Sequence, residues 1–527
     1  MAWYYTFEAK EIQRFILQSD KLRDMVGGSE LINHLCTDFL RDALRAVGVE
    51  NPEQAIIACA AGWARIRFED EAVAREFHAF WPMLADRFAP GVKVIQALVK
   101  IDGALPDAMQ VGFGMLRAAR NVNRPELPEV GPLIDRAPRT GAAAVALIKE
   151  RNADKLIPVD RQTLRKRQLA QTHASLTRKI SEEFAYDAWP YELDDIVGDD
   201  SAYVAVIHAD GNDLGATVMR INDHLKKRPE DAGEIYRGFS RAVEEITVAA
   251  VRTACEATIF AEFREQAKQG KKAKLAARPI VLGGDDLTII IRADHAVKFT
   301  EVFLEAFEKI SRKKLQEKKG LGSFKVEFPK ALTACAGIAF VKKSYPFAAA
   351  YRMAETLCEH TKHAAKADRD RRGDGDRKPP VPSSFTFHRI TTSMAEGFGE
   401  VKKNELTGRC LAGGSPVKFW FGPYVVGQYD GSLPSLTDLE SLILVLRKIP
   451  TGSVRSLIGT LHASPQDALK DYGRIRQVAG KQQGAELHQA LTALTHRDEN
   501  PLWNANLQTP LYDARLLREL AKGGAHE

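Results

Sequence analysis

The sequence predicts an α+β protein in which two ferredoxin-like domains are followed by a mostly helical C-terminal domain. An apolar hairpin, residues 280–291, has acids at its tip, and an apolar strand, residues 202–210, ends in an acid. The element order βααββαβ, which is that of the ferredoxin-like fold, is predicted twice, from residue 3 to residue 99 and from residue 202 to about residue 341. These observations indicate a diverged internal repeat.

The first copy, residues 1–105, follows from hydrophobic periodicity. Residues 3–9, 55–60, 63–68 and 92–99 are predicted as strands, and residues 11–17, 29–47 and 71–88 as helices. The hairpin tip between the middle strands reads Ala-Ala-Gly-Trp over residues 60–63, which offers no ligand to a cation. We expect this domain, whose hairpin tip is free of acids, to be a structural or nucleotide-base-contacting partner of the second copy.

The other segments are assigned by composition and pattern. Residues 106–200 are predicted to form a domain that links the two copies. The second copy, residues 201–366, has helices predicted over residues 232–266, 299–315 and 347–366 and a strand over residues 330–341. Residues 367–382 mix charges with Gly and Pro, which predicts a flexible linker. Residues 383–527 are expected to be mostly helical.

The hairpin of the second copy turns through Gly283, Gly284, Asp285 and Asp286. Its flanking runs are apolar and β-branched, so both strands are expected in a buried sheet, and the glycines permit a tight turn and close approach of a ligand. Gly-Asp turns are also common without any chemistry. A solvated tip is therefore the alternative interpretation.

Asp210 favours the functional interpretation. Its strand turns through Gly211 into a helix, and pairing with the hairpin would bring three or four carboxylates to one edge of a sheet. Magnesium and manganese take oxygen ligands, and two such ions about 3.5–4 Å apart can hold the attacking and leaving oxygens of a phosphoryl transfer. The motifs predict metal-dependent nucleotidyl transfer, with Asp210, Asp285 and Asp286 as catalytic metal ligands.

These motifs, in this order, resemble the cyclase palm of the CRISPR polymerase family, the large subunit of type III CRISPR effectors, which is related to GGDEF nucleotide cyclases. The likeness rests on Asp210-Gly-x-Asp-Leu-Gly, the Leu-Gly-Gly-Asp-Asp hairpin, residues 333–339, and a helix that carries Ala354-Glu355 and Lys362. Residues 10–16 and 21–32 look like the same family. The likeness covers most of residues 1–366, and it implies that both ferredoxin-like domains are palms.

The resemblance implies an enzyme that joins nucleoside triphosphates, with ATP expected, through 3′–5′ phosphodiester bonds into cyclic or short oligonucleotides. Such products act as second messengers in antiviral defence. The resemblance also implies that Lys362 meets the triphosphate. Backbone amides around Gly211, Gly283 and Gly284 suit phosphate oxygens, because no side chain blocks them.

One motif departs from the family. The family's first motif usually reads Asp-Gly-Asp-Asn, whereas this chain has Asp210-Gly211-Asn212-Asp213. Asn212 and Asp213 are expected to contact the substrate. Whether Asn212 coordinates metal as a neutral oxygen or contacts a base is open.

Composition sets further bounds. The net charge of +6 and the pI near 8.8 are compatible with binding nucleotides or RNA. No apolar run approaches the roughly 18–20 residues that span a bilayer, and no signal peptide is evident, so a cytoplasmic protein without membrane association is expected. The six cysteines include no Cys-x-x-Cys, so neither disulfides nor zinc are expected. No His-Asp dipeptide occurs, and a nuclease domain is not expected.

The resemblance implies RNA and other CRISPR-type subunits as partners, beside nucleoside triphosphates. The alternative function is a non-enzymatic RNA-binding or scaffold subunit of a type III CRISPR-like complex that keeps Gly-Gly-Asp-Asp as a relic. Retained acids argue against it, because a relic hairpin would be free to lose two mutually repelling carboxylates. A diguanylate or mononucleotide cyclase would share the chemistry and differ in its base pocket and product.

Overall fold

The structure is a computed structural model of the 527-residue chain. It describes residues 1–60, 62–122, 131–150, 155–172, 175–184, 186–197, 203–270, 273–317, 321, 326, 328–373, 379–392, 397–408 and 415–521.

The first palm is a four-stranded antiparallel sheet with helices packed on it. Its elements in chain order are β1 (Trp3–Lys10), α1 (Ile12–Leu17), α2 (Leu22–Leu35), α3 (Asp38–Ala46), α4 (Pro52–Ala55), β2 (Ile56–Ala60), β3 (Trp63–Phe68), α5 (Glu71–Phe88) and β4 (Lys93–Lys100). The strand order is β2-β3-β1-β4, which is that of a ferredoxin-like fold. Tyr5 and Phe7 of β1 pack on Phe77 and Trp81 of α5, with ring centroids 5.1 and 4.8 Å apart.

A linking region follows the first palm. Its described elements are α6 (Leu105–Arg120), β5 (Ala144–Lys149), β6 (Leu156–Asp160), α7 (Arg161–Thr172), α8 (Ser175–Ile180) and α9 (Leu193–Val197). Strands β5 and β6 form an antiparallel pair of their own. Helix α6 returns to the first palm and lies on the sheet face opposite α5, where Leu116 packs with Ile95 and Ala97 of β4.

The second palm repeats the strand order of the first. Its elements are β7 (Tyr203–Gly211), α10 (Leu214–Leu225), α11 (Ala232–Cys255), α12 (Ala261–Lys268), β8 (Ala277–Gly283), β9 (Asp286–Arg292), α13 (Ala296–Leu315), β10 (Ala334–Lys342) and α14 (Phe347–Arg372). The order β8-β9-β7-β10 matches β2-β3-β1-β4 of the first palm. Two sheets of this order confirm the predicted fold class.

The two palms pack against each other, and hydrogen bonds from α2 and from α11 are among their contacts. Ser29 of α2 donates a hydrogen bond to the carbonyl of Ile280 in β8. Arg237 of α11 donates to the carbonyls of Gln54 and Ile56, at 3.0 and 3.1 Å. The hairpin of the second palm is thus in contact with the first palm.

The C-terminal region is mostly helical, as predicted. Its elements are β11 (Ser384–Arg389), α15 (Phe398–Asn404), β12 (Tyr424–Val425), α16 (Leu436–Leu446), α17 (Thr451–Ala463), α18 (Pro465–Thr495) and α19 (Leu511–Ala521). Strand β11 extends the second sheet by pairing parallel to β10. Helix α18 is kinked at Gly480, where φ is 83°. Within the described ranges, no helix is long and apolar enough to cross a membrane.

Two sequence predictions need correction. The predicted helix over residues 29–47 is two helices, α2 and α3, and α2 begins at Leu22. The predicted linker over residues 367–382 is wrong at its start, because α14 continues to Arg372. The charges that suggested a linker are paired there, with Asp368 only 1% exposed and hydrogen bonded by Tyr429 and Ser432. Residues 374–378 of the predicted linker lie outside the described residues.

Candidate functional site

Asp210, Asp285 and Asp286 meet at one edge of the second sheet. Asp210 is near the end of β7, Asp285 is in the turn between β8 and β9, and Asp286 is the first residue of β9, which pairs with β7. Carboxylate oxygens from the three side chains all lie within 4.8 Å of one another. We call these three residues the acid cluster. The structure therefore brings together the three predicted metal ligands.

The hairpin tip is a two-residue turn. Gly283 pairs with Asp286, which leaves Gly284 and Asp285 as the central residues. Gly284 has a φ of 60°, a conformation that glycine adopts without strain. Thr247 of α11 donates a hydrogen bond of 2.7 Å to the carbonyl of Gly284, so the tip is held by a helix of its own palm.

The lack of a side chain at Gly211 leaves space for Asp285 beside it. A Cβ at position 211 would lie 3.0 Å from both the Cβ and an oxygen of Asp285, and 2.7 Å from Leu214. Such contacts would require Asp285 to shift by a few tenths of an ångström. Glycine at this position thus follows from packing around the acid cluster, in addition to the phosphate access suggested by the sequence.

Burial and neighbouring groups shift the pKa values of the three acids in opposite directions. Burial, the hydrogen bond with Asp210 and its charge raise the pKa of Asp285 above its ordinary value. Burial and then the charges of Asp285 and Asp210 raise the pKa of Asp286 as well. Burial works in the same direction on Asp210, but the hydrogen bond with Asp285 and the nearby Lys362 outweigh it, so the pKa of Asp210 is lowered. Burial and mutual repulsion thus favour the protonated forms of the two hairpin acids, whose pKa values are raised.

Lys362 of α14 reaches into the cluster. Its Nζ contacts the Asp210 carboxylate and donates a hydrogen bond of 3.0 Å to the carbonyl of Gly211. Burial alone would lower the pKa of Lys362, but the charge of Asp210 raises it above the ordinary value. The lysine therefore stays charged and holds Asp210 ionised. Its predicted contact with a triphosphate stays a prediction.

The two exchanged residues of the first motif point in different directions. Asn212 is 3% exposed, and its Nδ2 donates a 3.0 Å hydrogen bond to the Thr333 hydroxyl inside the palm. Asp213 has a φ of 55° and places its carboxylate 2.6 Å from Nη1 of Arg369. The structure thus directs Asn212 into the interior and Asp213 towards α14, and neither belongs to the acid cluster.

Several residues around the cluster were not singled out in the sequence. Thr247 supports the tip, and Arg369 lies beyond the predicted end of its helix. Tyr351 of α14 packs edge-on against His208, two residues before Asp210, at a centroid distance of 5.5 Å. The spacing of positions 362, 366 and 369 on one helix face was a usable signal for the cations, but the linker prediction ended the helix too early.

The donor set of the acid cluster fits a hard divalent cation. Magnesium and manganese prefer carboxylate oxygens, and three such oxygens from converging side chains can share one ion. Two of the acids carry raised pKa values that a bound cation would reverse. Elsewhere in the described ranges, no other group of three or more His, Cys, Asp or Glu side chains converges in this way. The absence of zinc stays a prediction.

Sequence comparison finds a family model that matches the domain holding this site. Residues 203–372 match the family model "Cas10/Cmr2, second palm domain". This match confirms, for the second palm, the resemblance stated from the sequence. A comparison with curated proteins finds no match.

Comparison with solved structures finds proteins called Csm1. Csm1 in T. onnurineus matches with a TM-score of 0.48 and 13% identity, over 100% of this chain and 70% of that chain. A Csm1-Csm4 cassette in complex with cA4 matches with a TM-score of 0.41 and 12% identity, over 69% of this chain and 53% of that chain. A further cassette in complex with cA3 has a TM-score of 0.46 and 11% identity, over 99% of this chain and 69% of that chain. The match to the cA4 complex thus spans about half the length of that protein.

Proposed function

We propose that this chain, whose residues 203–372 match the Cas10/Cmr2 second palm domain, is a metal-dependent nucleotidyltransferase. It joins nucleoside triphosphates, with ATP expected, by 3′–5′ phosphodiester formation. The products are cyclic or short oligonucleotides that serve as second messengers in antiviral defence. The acid cluster supports the transfer chemistry, whereas the base, the product and the setting follow from the family.

The convergence of the three carboxylates carries this proposal. Asp210 comes from one strand and Asp285 and Asp286 from a hairpin more than seventy positions later, yet their oxygens lie within 4.8 Å of one another. Bringing acids together in a partly buried place is unfavourable unless a cation or protons neutralise them. A scaffold subunit would have no use for this arrangement.

The surrounding residues prepare the cluster for a cation. Magnesium or manganese held by Asp210, Asp285 and Asp286 would supply the charge that draws a 3′-hydroxyl onto an α-phosphate and neutralises the leaving pyrophosphate. Lys362 keeps Asp210 ionised, and Gly211 lets Asp285 approach it. The hydrogen bond from Thr247 fixes the direction of the tip.

Substrate contacts are proposed around the same edge. Gly211, Gly283 and Gly284 would present backbone to phosphate oxygens, and a Cβ at Gly284 would meet nothing within 4 Å, so that side of the tip is open. Lys362 would contact a phosphate when substrate enters. RNA and other CRISPR-type subunits are proposed as partners on the basis of the family.

A product assay tests the function. Purified protein is incubated with radiolabelled ATP or GTP, magnesium and candidate RNA activators, and the products are separated by chromatography. Asp285→Ala with Asp286→Ala is expected to keep the fold and to reduce product by orders of magnitude, because loss of a metal clamp removes several kcal/mol of transition-state stabilisation. Asp194→Ala with Asp195→Ala removes two adjacent acids outside the cluster and should keep the activity.

The outcomes separate the two functions. Formation of pyrophosphate and oligonucleotide by the wild type and the control, but not by the hairpin variant, supports the transferase. Absence of pyrophosphate under every condition, or equal product from the wild type and the hairpin variant, would favour a scaffold subunit with a relic site.

A further inference from the structure

Helix α14 presents three cations in a row. Lys362, Lys366 and Arg369 are spaced four and three residues apart, which places them on one helix face. Lys362 contacts Asp210 of the acid cluster. The other two face Asp213, with Arg369 Nη1 2.6 Å and Lys366 Nζ 3.9 Å from its carboxylate oxygens. A row of positive charge thus leads from the acid cluster to Asp213.

Asp213 performs neither of the tasks expected of an acid at its position. It is the N-cap residue of α10, yet its side chain accepts no capping hydrogen bond, although an Asp at an N-cap commonly accepts one from the first helical turn. It is also outside the acid cluster. Its carboxylate turns to α14 instead and is 37% exposed. Asp213 is therefore an anion held by two cations beside the candidate active site.

We propose that the Asp213 carboxylate occupies, in the nucleotide-free chain, the place on Lys366 and Arg369 that phosphate oxygens of a nucleoside triphosphate take. This inference deepens the proposed function and rests on it. Arg369 donates to Asp213 through Nη1, while its Nε pairs with Asp370 at 3.0 Å. A guanidinium N–H binds carboxylate and phosphate oxygens alike, so the two anions compete for Nη1 of Arg369. A highly charged polyphosphate displaces Asp213, whereas a monophosphate competes less well. The pair thus selects triphosphates.

The position suits a nucleotide whose α-phosphate lies at the acid cluster. Lys362 and Arg369 are about 10 Å apart along the helix axis at 1.5 Å per residue, a span that a triphosphate and long basic side chains can cover together. The N-terminus of the twelve-residue helix α10 begins directly after Asp213 and adds partial positive charge. A Cβ at Gly215 would meet nothing within 4 Å, so the approach to this turn is open.

If Asp213 has a purely structural role, the opposite effect on anion binding is expected. If the Asp213–Arg369 pair only fastens α10 to α14, its loss should loosen the site and weaken anion binding. If Asp213 competes with phosphate, its neutralisation should strengthen anion binding. Whether neutralisation of Asp213 strengthens or weakens anion binding therefore decides between the competing and the structural role.

Calorimetric titration with inorganic tripolyphosphate, in the presence of a chelator, measures this directly. The probe has no base, and without metal its binding depends on the cations. Asp213→Asn is expected to tighten tripolyphosphate binding by about two- to fivefold, the size expected for removal of a partly exposed ion-pair partner. Arg369→Ala and Lys366→Gln are expected to weaken it. In the Arg369→Ala background, the effect of Asp213→Asn should shrink.

Asp223→Asn is the matched control. It removes one negative charge from the same helix, but Asp223 pairs with Lys226 and both side chains are at least 70% exposed. It should leave tripolyphosphate affinity unchanged. Because Arg369 is 15% exposed and its alanine variant could unfold, the more exposed Lys366→Gln repeats the double-variant comparison.

Three results would overturn the inference: unchanged or weaker binding by a folded Asp213→Asn variant, equal tightening by Asp223→Asn, or no tripolyphosphate binding by any variant. The proposed function is judged separately. A wild type that releases pyrophosphate, while Asp213→Asn fails to bind tripolyphosphate more tightly, defeats this inference alone. A wild type that releases no pyrophosphate defeats the transferase, even where Asp213→Asn tightens binding.

Discussion

Glu8 in the first palm and Asp210 in the second lie at equivalent positions. Each is on the first strand of its palm, β1 or β7, which is one of the two inner strands of the four, and each is ion-paired with a cation from the helix after the fourth strand. Arg120 of α6 pairs with Glu8, and Lys362 of α14 pairs with Asp210. The two palms therefore share an acid–cation pair and differ at the hairpin, where Glu8 faces Trp63 across the strands and Asp210 meets two acids.

This relationship predicts that one acid binds metal and its counterpart does not. Asp210→Asn is expected to lower Mn²⁺ affinity at least tenfold, because a cluster ligand is lost. Glu8→Gln should leave Mn²⁺ affinity unchanged, since among the described residues Glu8 joins no group of three acids. Titration with Mn²⁺, monitored by electron paramagnetic resonance, measures the metal affinity of both variants. Equal loss in the two variants would place the metal elsewhere.

The fold of the second palm was predictable because its strands are marked locally. The apolar runs on both sides of Gly283–Asp286 are rich in β-branched residues, and β8 and β9 contain them. The same is true of β7, which ends at the Asp210 motif. The acid cluster was inferred from the sequence because neighbouring strands of one sheet bring their ends together.

Other features depend on partners that are distant in sequence. The end of α14 looked like a linker because its charges precede Gly and Pro and show no apolar period. Part of what holds this end comes from distant residues, since Asp213 and Asp430 pair with it from 156 and 58 residues away. The inward direction of Asn212 depends on Thr333, 121 residues later. Periodicity cannot identify such pairs, so the helix end and the role of the exchanged motif needed the structure.

The hairpin acids should make the metal-free protein less stable as pH rises. Burial and the neighbouring acids raise the folded-state pKa of Asp285 and Asp286 above the unfolded value. Stability from their neutral forms is complete below the unfolded pKa of about 4 and is lost as pH rises through the folded pKa. With chelator present, Asp285→Asn with Asp286→Asn should therefore unfold at a higher temperature than the wild type at pH 8, and by a smaller margin at pH 5.

Magnesium should reverse the order of unfolding temperatures of the wild type and the double variant. At pH 8, added Mg²⁺ is expected to raise the unfolding temperature of the wild type and not that of the double variant, since the ion binds the folded cluster. Scanning calorimetry with and without chelator measures both changes. A wild type that is the more stable protein in chelator at pH 8 would contradict the predicted strain among the acids.

Gly337 seats the helix that carries Lys362. A Cβ at this position of β10 would lie 2.1 Å from the carbonyl oxygen of Ala354 and 2.5 Å from the amide nitrogen of Cys358, both in the backbone of α14. Gly337→Ala is expected to push α14 off the sheet and to cost roughly 1–3 kcal/mol in free energy of unfolding. Denaturant titration measures it. Gly459→Ala, which meets nothing within 4 Å, is the control; equal stability of the two variants would contradict the close packing.

Gly211 and Gly215 provide the sharpest test of the geometry at the acid cluster, because they lie four residues apart and differ in surroundings. A methyl group at position 211 would press on Asp285 from 3.0 Å, whereas one at position 215 would meet nothing within 4 Å. Gly211→Ala should therefore reduce product formation and Mn²⁺ affinity by at least tenfold, since metal clamps tolerate little displacement of a ligand.

Gly215→Ala should keep both properties and add about 0.5–1 kcal/mol to the free energy of unfolding, because alanine is preferred to glycine within a helix. The product assay and Mn²⁺ titration, each combined with thermal unfolding, separate loss of the site from loss of the fold. If Gly211→Ala retained full activity, Asp285 could not stand against Gly211 in the working enzyme. The hairpin would then have to reach Asp210 by another approach.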